Sequence, residues 1–469
     1  MIFSKIKYGI IYIILLVILV SNNLSCREYT LENNDIPPIQ YSATPQEEEF
    51  LDTLQYKSFL YFLNEINHET GLVKDRSTEN SPASIAAVGW AIPVWAIGVE
   101  NGWITREKAR KLTLNAIKFF YNSEQSSDPL ATGYKGFYYH FIGMNKGERY
   151  WNCELSTIDT GWLIAGMRFA AQYYSGNNHE EKEIRKLIDI LTFRIDWDWF
   201  TIPDSVERFG GSMSMSWRPE KGLKHWGWTG LNEGLFLYVL AAGSGSKDAV
   251  NAYDVWLNEY DYEEPYPGLK HVTFGPLFGH QYSQMFIDFR GLYDKYMISK
   301  GLDYFENSKR ALLTQRNYGI ENPGKFVGYD SLTWGLSACD GPGREYKLNG
   351  VPMMGYSARG TTGFPEWTQD DGTITPTATG GAIVFAPEYV IPTLKNMYDK
   401  YGEKGLWGKY GFKDAFNLTI NWYDTDYLGL DQGPIVMMIE NMRTGLIWKY
   451  MMKDPVIIKG LKLLGFEKK

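Results

Sequence analysis

Residues 84–99 read Ser-Ile-Ala-Ala-Val-Gly-Trp-Ala-Ile-Pro-Val-Trp-Ala-Ile-Gly-Val, a segment of helical length without a charged side chain. A helix that is apolar on every face is buried on every face. Similar segments, some of them less regular, follow at residues 160–171 and 235–242 and near 281–293, 326–338 and 434–448. The sequence therefore predicts about six fully buried helices.

A second set of segments is amphipathic, with the charged residues on one face. These segments are residues 49–66, 105–122, 179–195, 247–260, 302–317 and 387–401. Thr105 is a predicted N-cap of the second segment. Buried helices that alternate with a like number of amphipathic ones are typical of an all-α (α/α)6 toroid, in which outer helices surround inner ones. We expect few strands, confined to long loops such as residues 197–228 and 339–380, which are long enough to be functional.

The N-terminus resembles a bacterial lipoprotein signal. Lys5 and Lys7 precede the apolar run Ile10 to Val20, which is short for a membrane span, and Leu24-Ser25-Cys26 follows. We expect a signal peptide at residues 1–25, lipidation of Cys26, a flexible tether at 26–46 and one domain at 47–469. The alternative is an uncleaved anchor with an ordinary cysteine. Both place the domain outside the cytoplasm, in the periplasm or on the outer-membrane surface, with membrane contact through the anchor.

The composition narrows the class of partner. A formal net charge of −8 argues against nucleic acid, whose phosphates require clustered Lys and Arg. Aromatic residues make up 16% of the chain, which suits stacking on sugar rings and also a large core. Cys153 and Cys339 are interpreted as two buried thiols, although one disulfide is the alternative. The residue spacings favour no metal site and no cofactor, and we expect a monomer.

Polar residues gather at the N-terminal ends of the predicted inner helices. Glu154 and Asp159 precede one such helix, Glu233 the next, His280 another and Asp431 the last. Because the inner helices of a toroid run parallel, these ends are expected to converge on one mouth. The sequence thus predicts that scattered acids form a single site.

Hydrolysis of a glycosidic bond needs two carboxyl groups, a protonated one for the leaving oxygen and a second that activates water or attacks the anomeric carbon. Glu233 is the predicted general acid, because it lies directly before an apolar run that would raise its pKa by desolvation. Asp431 is the predicted general base, placed on the rim by a helix that starts at Pro434. The alternatives are a helix-dipole role for Glu233 and a turn role for Asp431.

Further residues are candidate substrate contacts, each with a structural alternative. Asp159 fits a capping box with Ser156, Glu154 and Glu440 fit structural ion pairs, and Asp340 fits a turn better than a catalytic role. The candidate set is Asp159, Glu154, His280, Gln281, Trp217, Trp228, Trp334, Asp340, Trp422 and Glu440. Trp162, on an apolar helix, is interpreted as a core residue.

Six segments, in this order, resemble glycoside hydrolase family 144, the bacterial glycoamylase-like proteins. They are Glu154 to Thr160, Trp228 to Glu233, His280 to Ser283, Trp334 to Leu336 with Asp340 to Pro342, Asp371 to Ile374, and Asp431 to Pro434 with Ile439 to Asn441. The resemblance spans roughly residues 50–450. It implies an (α/α)6 barrel that acts on β-1,2-glucan, inverts the anomeric centre and needs no metal.

The sequence thus predicts a lipoprotein glycoside hydrolase of β-1,2-glucan, acting internally or releasing sophorose. The rival from another class is a non-catalytic glycan-binding lipoprotein, which would need aromatic rings but no pair of carboxyl groups. Within enzymes, the alternative is an exo-acting protein that releases disaccharide or transfers glucosyl units.

Overall fold

A computed structural model describes residues 38–361 and 369–469. In these ranges amphipathic and buried helices alternate along the chain. The outer helices are α1 (Pro45–Asn64), α3 (Arg106–Asn122), α5 (His179–Phe193), α7 (Ala249–Asn258), α10 (Tyr304–Glu321) and α12 (Pro387–Tyr401). The inner helices are α2 (Ile85–Glu100), α4 (Thr157–Tyr173), α6 (Leu235–Ser244), α8 (Phe278–Phe286), α11 (Pro376–Gly380) and α13 (Gly429–Arg443). This alternation of six outer and six inner helices is the predicted (α/α)6 toroid.

The inner helices form a closed ring in which each helix contacts the next. The contacts that join successive inner helices are Gly89 with Gly166, Trp162 with Phe236, Ser283 with Phe236, Gln281 with Ala378, Thr377 with Asp431, and Gly433 with Trp90. The last of these contacts returns the chain from α13 to α2. The described residues also contain three further α-helices, α9 (Lys295–Lys300), α14 (Leu446–Met451) and α15 (Pro455–Leu463), and two 3-10 helices at Trp197–Phe200 and Gly402–Lys404.

The contact between α2 and α4 shows why the ring needs small residues. Pro93 lies inside α2 and has no N–H for the Gly89 carbonyl one turn earlier. That carbonyl lies against Gly166, where an added Cβ would be 1.7 Å from the oxygen. The two helix backbones therefore touch directly, and alanine at Gly166 would push the inner ring apart.

One predicted inner helix is wrong. Residues 326–338 form turns and loops, and the short α11 takes the fifth inner position instead. The reason is local, because Gly328 (φ +85°) and Gly335 (φ +134°) adopt backbone conformations that interrupt a helix. The six amphipathic predictions are confirmed, and Thr105 caps α3 by accepting a hydrogen bond from Lys108 N–H at 3.2 Å.

Short antiparallel strands connect the helices, and they are more widely spread than predicted. A five-stranded sheet has the order Gly133–Tyr134, Phe137–Tyr139, Leu155–Ser156, Ser216–Arg218, Gly222–Leu223. The two-stranded pairs are Ala83–Ser84 with Phe141–Ile142, Tyr262–Glu263 with His271–Val272, Leu292–Tyr293 with Glu467–Lys468, Ala338–Cys339 with Ser357–Ala358, Lys347–Leu348 with Val351–Pro352, Trp407–Gly408 with Gly411–Phe412, and Phe416–Asn417 with Trp422–Tyr423. The strand content is small, as predicted, but strands also occur in connections other than the two long loops given as examples.

The expectations for the N-terminus are only partly within the described ranges. The predicted signal peptide, Cys26 and most of the tether lie outside the described residues, and α1 already begins at Pro45. In the part of the chain that the structure covers, no helix has both the length and the apolar character needed to cross a membrane. Cys153 and Cys339 are buried free thiols, as interpreted from the sequence.

Candidate active site

The N-terminal ends of α4, α6 and α13 surround a cavity of about 170 Å³. Its lining includes three acids, Asp159, Glu233 and Asp431, one each from these helix starts. The predicted convergence of these three acids is therefore confirmed. Larger depressions of about 640 and 700 Å³ lie elsewhere on the surface, but the acids in the first are exposed, and the second contains no acid.

Aromatic rings form much of the remaining cavity wall. Trp90 from α2 packs edge-on against Tyr282 from α8, with ring centroids 4.8 Å apart, and Trp162 lies 6.2 Å from each of them. Trp162, which was interpreted as core, is buried and lines the cavity as well. Tyr356 also lines the cavity and is 61% exposed, so it lies at the mouth. Flat rings beside acids suit a ligand with apolar C–H faces and many hydroxyl groups.

Glu233 lies in the turn that leads into α6. The side chain of Asn232 fixes this turn by accepting the Gly234 N–H at 2.9 Å, and the Ser283 hydroxyl donates to the Glu233 carbonyl oxygen at 3.0 Å. Burial raises the pKa of the Glu233 carboxyl to about 7, and the negative charge of Asp159 adds to this effect. Glu233 can therefore hold a proton near neutral pH, as a general acid must.

Asp159 is the third residue of α4. The Ser156 side chain caps the helix by accepting the Asp159 N–H at 3.2 Å, and its hydroxyl donates to the Asp159 carboxylate. The N-cap and cavity roles that the sequence left open therefore coexist. Burial raises the pKa of Asp159, but His140 opposes this, with its Nε2 3.6 Å from Asp159 Oδ1.

His140 links Asp159 to Glu154. Its Nδ1 lies 2.9 Å from Glu154 Oε1, and Arg218 Nη2 donates to the other Glu154 oxygen at 2.7 Å. Although burial lowers the pKa of His140, the carboxylates of Asp159 and Glu154 outweigh it and raise this pKa to about 9. His140 is thus an imidazolium at neutral pH. We call His140, Glu154, Asp159 and Arg218 the paired cluster, because its acids have cations beside them.

Asp431 lies in the first turn of α13, and its neighbours are other acids, in contrast to the cations of the paired cluster. Its carboxyl group lies near that of Asp414, and Asp340 and Asp424 lie close enough to act on the charge of both. Burial raises the pKa of Asp431 and of Asp414, and the charges of Asp340 and Asp424 add to both rises. The neighbouring Asp414 raises the pKa of Asp431 further, whereas Asp431 opposes the rise at Asp414. Burial and Asp340 raise the pKa of Asp424 to about 6. We call Asp340, Asp414, Asp424 and Asp431 the acid-rich cluster.

Arg76 supplies positive charge to the acid-rich cluster. Its Nη1 donates to Asp340 Oδ2 at 2.8 Å and to Asp426 Oδ2 at 3.2 Å. Carboxylate oxygens of Asp340, Asp414 and Asp424 lie within 4.8 Å of one another, a spacing that a cation could bridge. One oxygen of Asp340 is already bound to the guanidinium, so we assign no metal to these residues.

The start of α13 differs from the prediction. Pro434 does not start the helix, which begins at Gly429, so Asp431 lies inside the first turn. A proline this near the N-terminus is tolerated because its missing N–H leaves a single carbonyl, that of Leu430, without its helical donor. Glu440, at the C-terminal end of the apolar run, is buried. Its carboxylate accepts hydrogen bonds from Gln55 Nε2 and Asn101 Nδ2, both at 3.1 Å.

Several predicted substrate contacts are corrected, because their side chains are buried outside the cavity. His280 bonds the Phe274 carbonyl at 3.2 Å, Gln281 donates to the Ala378 carbonyl at 2.6 Å, and Trp228 donates to Thr157 Oγ1 at 2.9 Å. Glu440 and Trp334 are also buried away from the cavity. These side chains hold the inner ring together.

The other predicted contacts, like those above, do not line the cavity. Trp217 packs against Tyr134 and Trp199 with centroids 5.5 Å apart in both pairs. Trp422 lies on a hairpin strand, Asp340 bonds Arg76, and Glu154 reaches the cavity through His140.

Several residues of the site were not singled out from the sequence, among them Trp90, His140, Tyr282, Tyr356 and Asp414. Tyr282 belongs to the same His280-Gln281-Tyr282-Ser283 segment, and it lines the cavity because successive helical residues point about 100° apart. Asp414 follows a hairpin and lies 17 residues before Asp431, a separation that no helical or strand spacing connects.

Comparison with known proteins gives a consistent result. Residues 225–455 match the model of a family described as "Putative glucoamylase". The crystal structure of a Bacteroides uniformis protein with the same description is 32% identical, with a TM-score of 0.77 over 91% of this chain and 99% of that one. The endo-β-1,2-glucanase of Chitinophaga pinensis, solved with sophorotriose and glucose, is 26% identical, with a TM-score of 0.76 over 91% of this chain and 99% of that one.

A curated relative is the exo β-1,2-glucooligosaccharide sophorohydrolase (non-reducing end) of Parabacteroides distasonis. It is 30% identical over 475 positions, which cover 93% of this chain and 60% of the relative, so this chain spans about 60% of that protein's length. Three findings indicate the same family: the shared fold, the match to the family model, and the 32% identity to the Bacteroides uniformis protein, 99% of which is covered. The chain therefore belongs to the glycoamylase-like family.

Proposed function

We propose that this protein is a glycoside hydrolase that cleaves β-1,2-glucan, with Glu233 as general acid and Asp431 as general base. The observation that carries the proposal is the pair of carboxyl groups on one buried cavity, Glu233 with a pKa near 7 and Asp431 at a helix start. A protein that merely captures glycans has no need for two such groups. The names of the similar proteins, an endo-β-1,2-glucanase and a sophorohydrolase, support β-1,2-linked glucose as the substrate.

In the proposed reaction, protonated Glu233 donates to the glycosidic oxygen as the bond to the anomeric carbon breaks. Asp431 accepts a proton from a water molecule, whose oxygen attacks the anomeric carbon from the other face of the ring. The product then has the opposite anomeric configuration, and an inverting pocket separates its carboxyls by about 6.5–9.5 Å to seat that water. Trp90, Trp162 and Tyr282 would hold the sugar ring.

The test is incubation of the purified protein with linear β-1,2-glucan, followed by chromatography of the products. Wild type is expected to release short β-1,2-linked oligosaccharides, whereas Glu233→Gln and Asp431→Asn are not. A ladder of sizes indicates internal cleavage, and sophorose alone indicates cleavage from an end. Tight binding of the glucan without products would contradict the proposal and favour a binding protein.

We also propose that the protein is a monomer held outside the cytoplasm by a lipid on Cys26. The basic and apolar residues before Leu24-Ser25-Cys26 support this proposal. Cys26→Ser is expected to release the protein from the membrane fraction, and light scattering of the released protein is expected to give the monomer mass. Retention of the variant in membranes would contradict the lipid anchor.

A further inference from the structure

We propose that Trp151 forms a further sugar subsite, a flat platform outside the cavity on which another glucose residue of the same β-1,2-glucan chain stacks. The inference rests on the proposed function and extends its binding site along the rim of the cavity. A cavity of about 170 Å³ has room for about one six-membered ring, so most of a polymeric substrate must lie outside it.

Trp151 is more exposed than the other tryptophans. The residue is 63% exposed, whereas each of the other tryptophans that the structure describes is buried or half-buried. A large apolar ring left in water forgoes the free energy that burial would contribute. Tryptophan also offers a rigid contact area that loses little side-chain entropy when a ligand binds. The exposed ring is therefore better explained by a ligand than by packing within the domain.

The backbone at Trp151 has an unfavourable conformation. Its φ is +53°, and that of the next residue, Asn152, is +51°. The other described non-glycine residues with a positive φ are lysines and asparagines, so Trp151 is the only one with a bulky apolar side chain. A bulky residue in this region is strained, and such strain persists at ligand-binding sites where the surrounding contacts enforce it.

A buried arginine enforces this conformation. Arg149 Nη2 donates to the Asn152 carbonyl at 2.8 Å, and its Nε donates to the Cys153 carbonyl at 2.6 Å. Its Nη1 donates to Glu220 Oε1 at 2.6 Å, and only 1% of the Arg149 side chain is exposed. Because the guanidinium is a rigid fork of donors, these bonds fix the turn that carries Trp151. The protein thus holds a strained turn in place and leaves its tryptophan in water.

A row of aromatic rings connects Trp151 with the cavity. His140 lines the cavity, and its ring stacks on that of Phe141 with centroids 3.8 Å apart. Phe141 contacts the Trp151 ring at 5.4 Å, and Tyr150 contacts it at 5.0 Å, both at steep interplanar angles. Trp151 therefore lies two ring contacts from the cavity, on its His140 side. A glucan chain that leaves the cavity on this side passes over these rings.

The strand pairing places Trp151 at the mouth end of the toroid. Phe141–Ile142 pairs with Ala83–Ser84, which directly precedes the inner helix α2. The Tyr150 N–H donates to the Phe141 carbonyl at 2.9 Å, so the strained turn is tied to that strand. Arg218, which binds Glu154 beside His140, is 35% exposed in its side chain and offers N–H donors to sugar hydroxyls on the same rim.

Substitution of Trp151 tests the platform through KM. Trp151→Ala removes the ring and is expected to raise KM for polymeric β-1,2-glucan about fivefold or more, with kcat within about twofold of wild type, because the ring lies away from the reacting bond. Trp151→Phe keeps a smaller ring and is expected to give an intermediate KM. Trp103→Ala is the matched control, since Trp103 follows the C-terminal end of α2, away from the mouth, and is expected to leave KM unchanged.

Chain length provides a second readout. The variants are assayed on purified β-1,2-linked oligosaccharides of increasing length. Trp151→Ala is expected to match wild type in kcat/KM on chains too short to reach the platform and to fall behind as the chain lengthens. A merely structural role would lower kcat/KM by the same factor at every length.

A third readout does not depend on turnover. Glu233→Gln is expected to be retarded in native gels that contain β-1,2-glucan, and less so when combined with Trp151→Ala. Trp151→Gly is expected to bind as weakly as Trp151→Ala and to have the higher Tm of the two, because glycine adopts a φ of +53° without strain. This comparison separates loss of the ring from loss of the fold.

Four results would overturn the inference while the proposed function stands: wild-type KM in Trp151→Ala, a loss of kcat/KM that is equal at all chain lengths, unchanged retardation in the gel, or wild-type dimers that Trp151→Ala dissociates without a change in KM. If wild type binds β-1,2-glucan without cleaving it, the proposed hydrolysis fails, and the gel comparison still decides the platform. If wild type neither binds nor cleaves this glucan, both proposals fail.

Discussion

The paired cluster and the acid-rich cluster each give one carboxyl group to the same cavity, yet they neutralise their charge differently. In the paired cluster, Glu154 binds both His140 and Arg218, and the same imidazolium faces Asp159. In the acid-rich cluster, Arg76 binds Asp340, while the carboxyl groups of Asp414 and Asp431 lie near each other. Cations therefore offset charge in the first cluster, and protons do so in the second.

This difference teaches that burial by itself does not decide whether an acid is ionised, because neighbouring charges can oppose or reinforce its effect. Glu154 is in contact with two cations, and the His140 hydrogen bond and charge outweigh its burial and lower its pKa to about 2. Asp431 is buried among acids, and its pKa is raised. A hydrolytic cavity needs fixed charge to orient the substrate and movable protons for the reaction, and the two clusters divide these tasks.

The largest expected contrast is in turnover. Asp431→Asn removes the proposed base and is expected to lower kcat on β-1,2-glucan by about 10³-fold or more, whereas Asp159→Asn lowers it by about 10 to 10²-fold. Because Asp159 helps to raise the pKa of Glu233, Asp159→Asn is also expected to move the basic limb to lower pH. Equal losses in the two variants would break the distinction between the clusters.

The next contrast is in stability. Arg76→Gln leaves Asp75, Asp340 and Asp426 without their guanidinium, and the free energy of unfolding is expected to fall by about 3–5 kcal/mol. Arg218, by contrast, is 35% exposed in its side chain, and Arg218→Gln is expected to cost about 0–1 kcal/mol. Urea denaturation of both variants measures the two values. A larger loss of unfolding free energy in Arg218→Gln than in Arg76→Gln would contradict the expectation that Arg76 contributes more to stability.

A smaller effect is the pH dependence of stability in the paired cluster. The pKa of His140 is raised to about 9, above the value near 6.5 of an unfolded histidine, so its contribution is complete below about pH 6.5 and lost as pH rises through about 9. His140→Gln is expected to flatten the fall of Tm between these pH values. His68→Gln, at an exposed histidine, serves as the control. An unchanged slope in His140→Gln would show that the imidazole is uncharged.

The smallest expected effect is that of Asp424. Asp424→Asn removes one negative charge near Asp431 and is expected to lower the pKa of that carboxyl, which moves the acid limb of kcat/KM down by less than about one pH unit. Asp303→Asn removes a carboxyl outside both clusters and is the matched control. An upward shift in Asp424→Asn would mean that Asp424 stabilises ionised Asp431, and the acid-rich cluster would need another explanation.

Much of the fold was predictable because it depends on periodicity. Segments with charges on one face became the outer helices, and segments without charges became most of the inner ones. The failure at residues 326–338 came from Gly328 and Gly335, whose left-handed conformations no hydrophobic pattern reveals. Asp159, Glu233 and Asp431 were predictable as neighbours because each lies at the start of an inner helix.

The sequence by itself determined the alternation of helices and the three acids at one mouth, since local spacing and burial of apolar faces decide both. Tertiary structure alone decided which side chains reach the cavity. The rotation of α8 places Tyr282, and not His280 or Gln281, at the cavity, because neighbouring residues on a helix point in different directions. Tertiary structure also decided that the side chain of His140 lies beside Asp159 and that of Asp414 near Asp431. These contacts join loops and strands to helix starts that lie 17 and 19 residues further along the chain, beyond the reach of helical or strand periodicity.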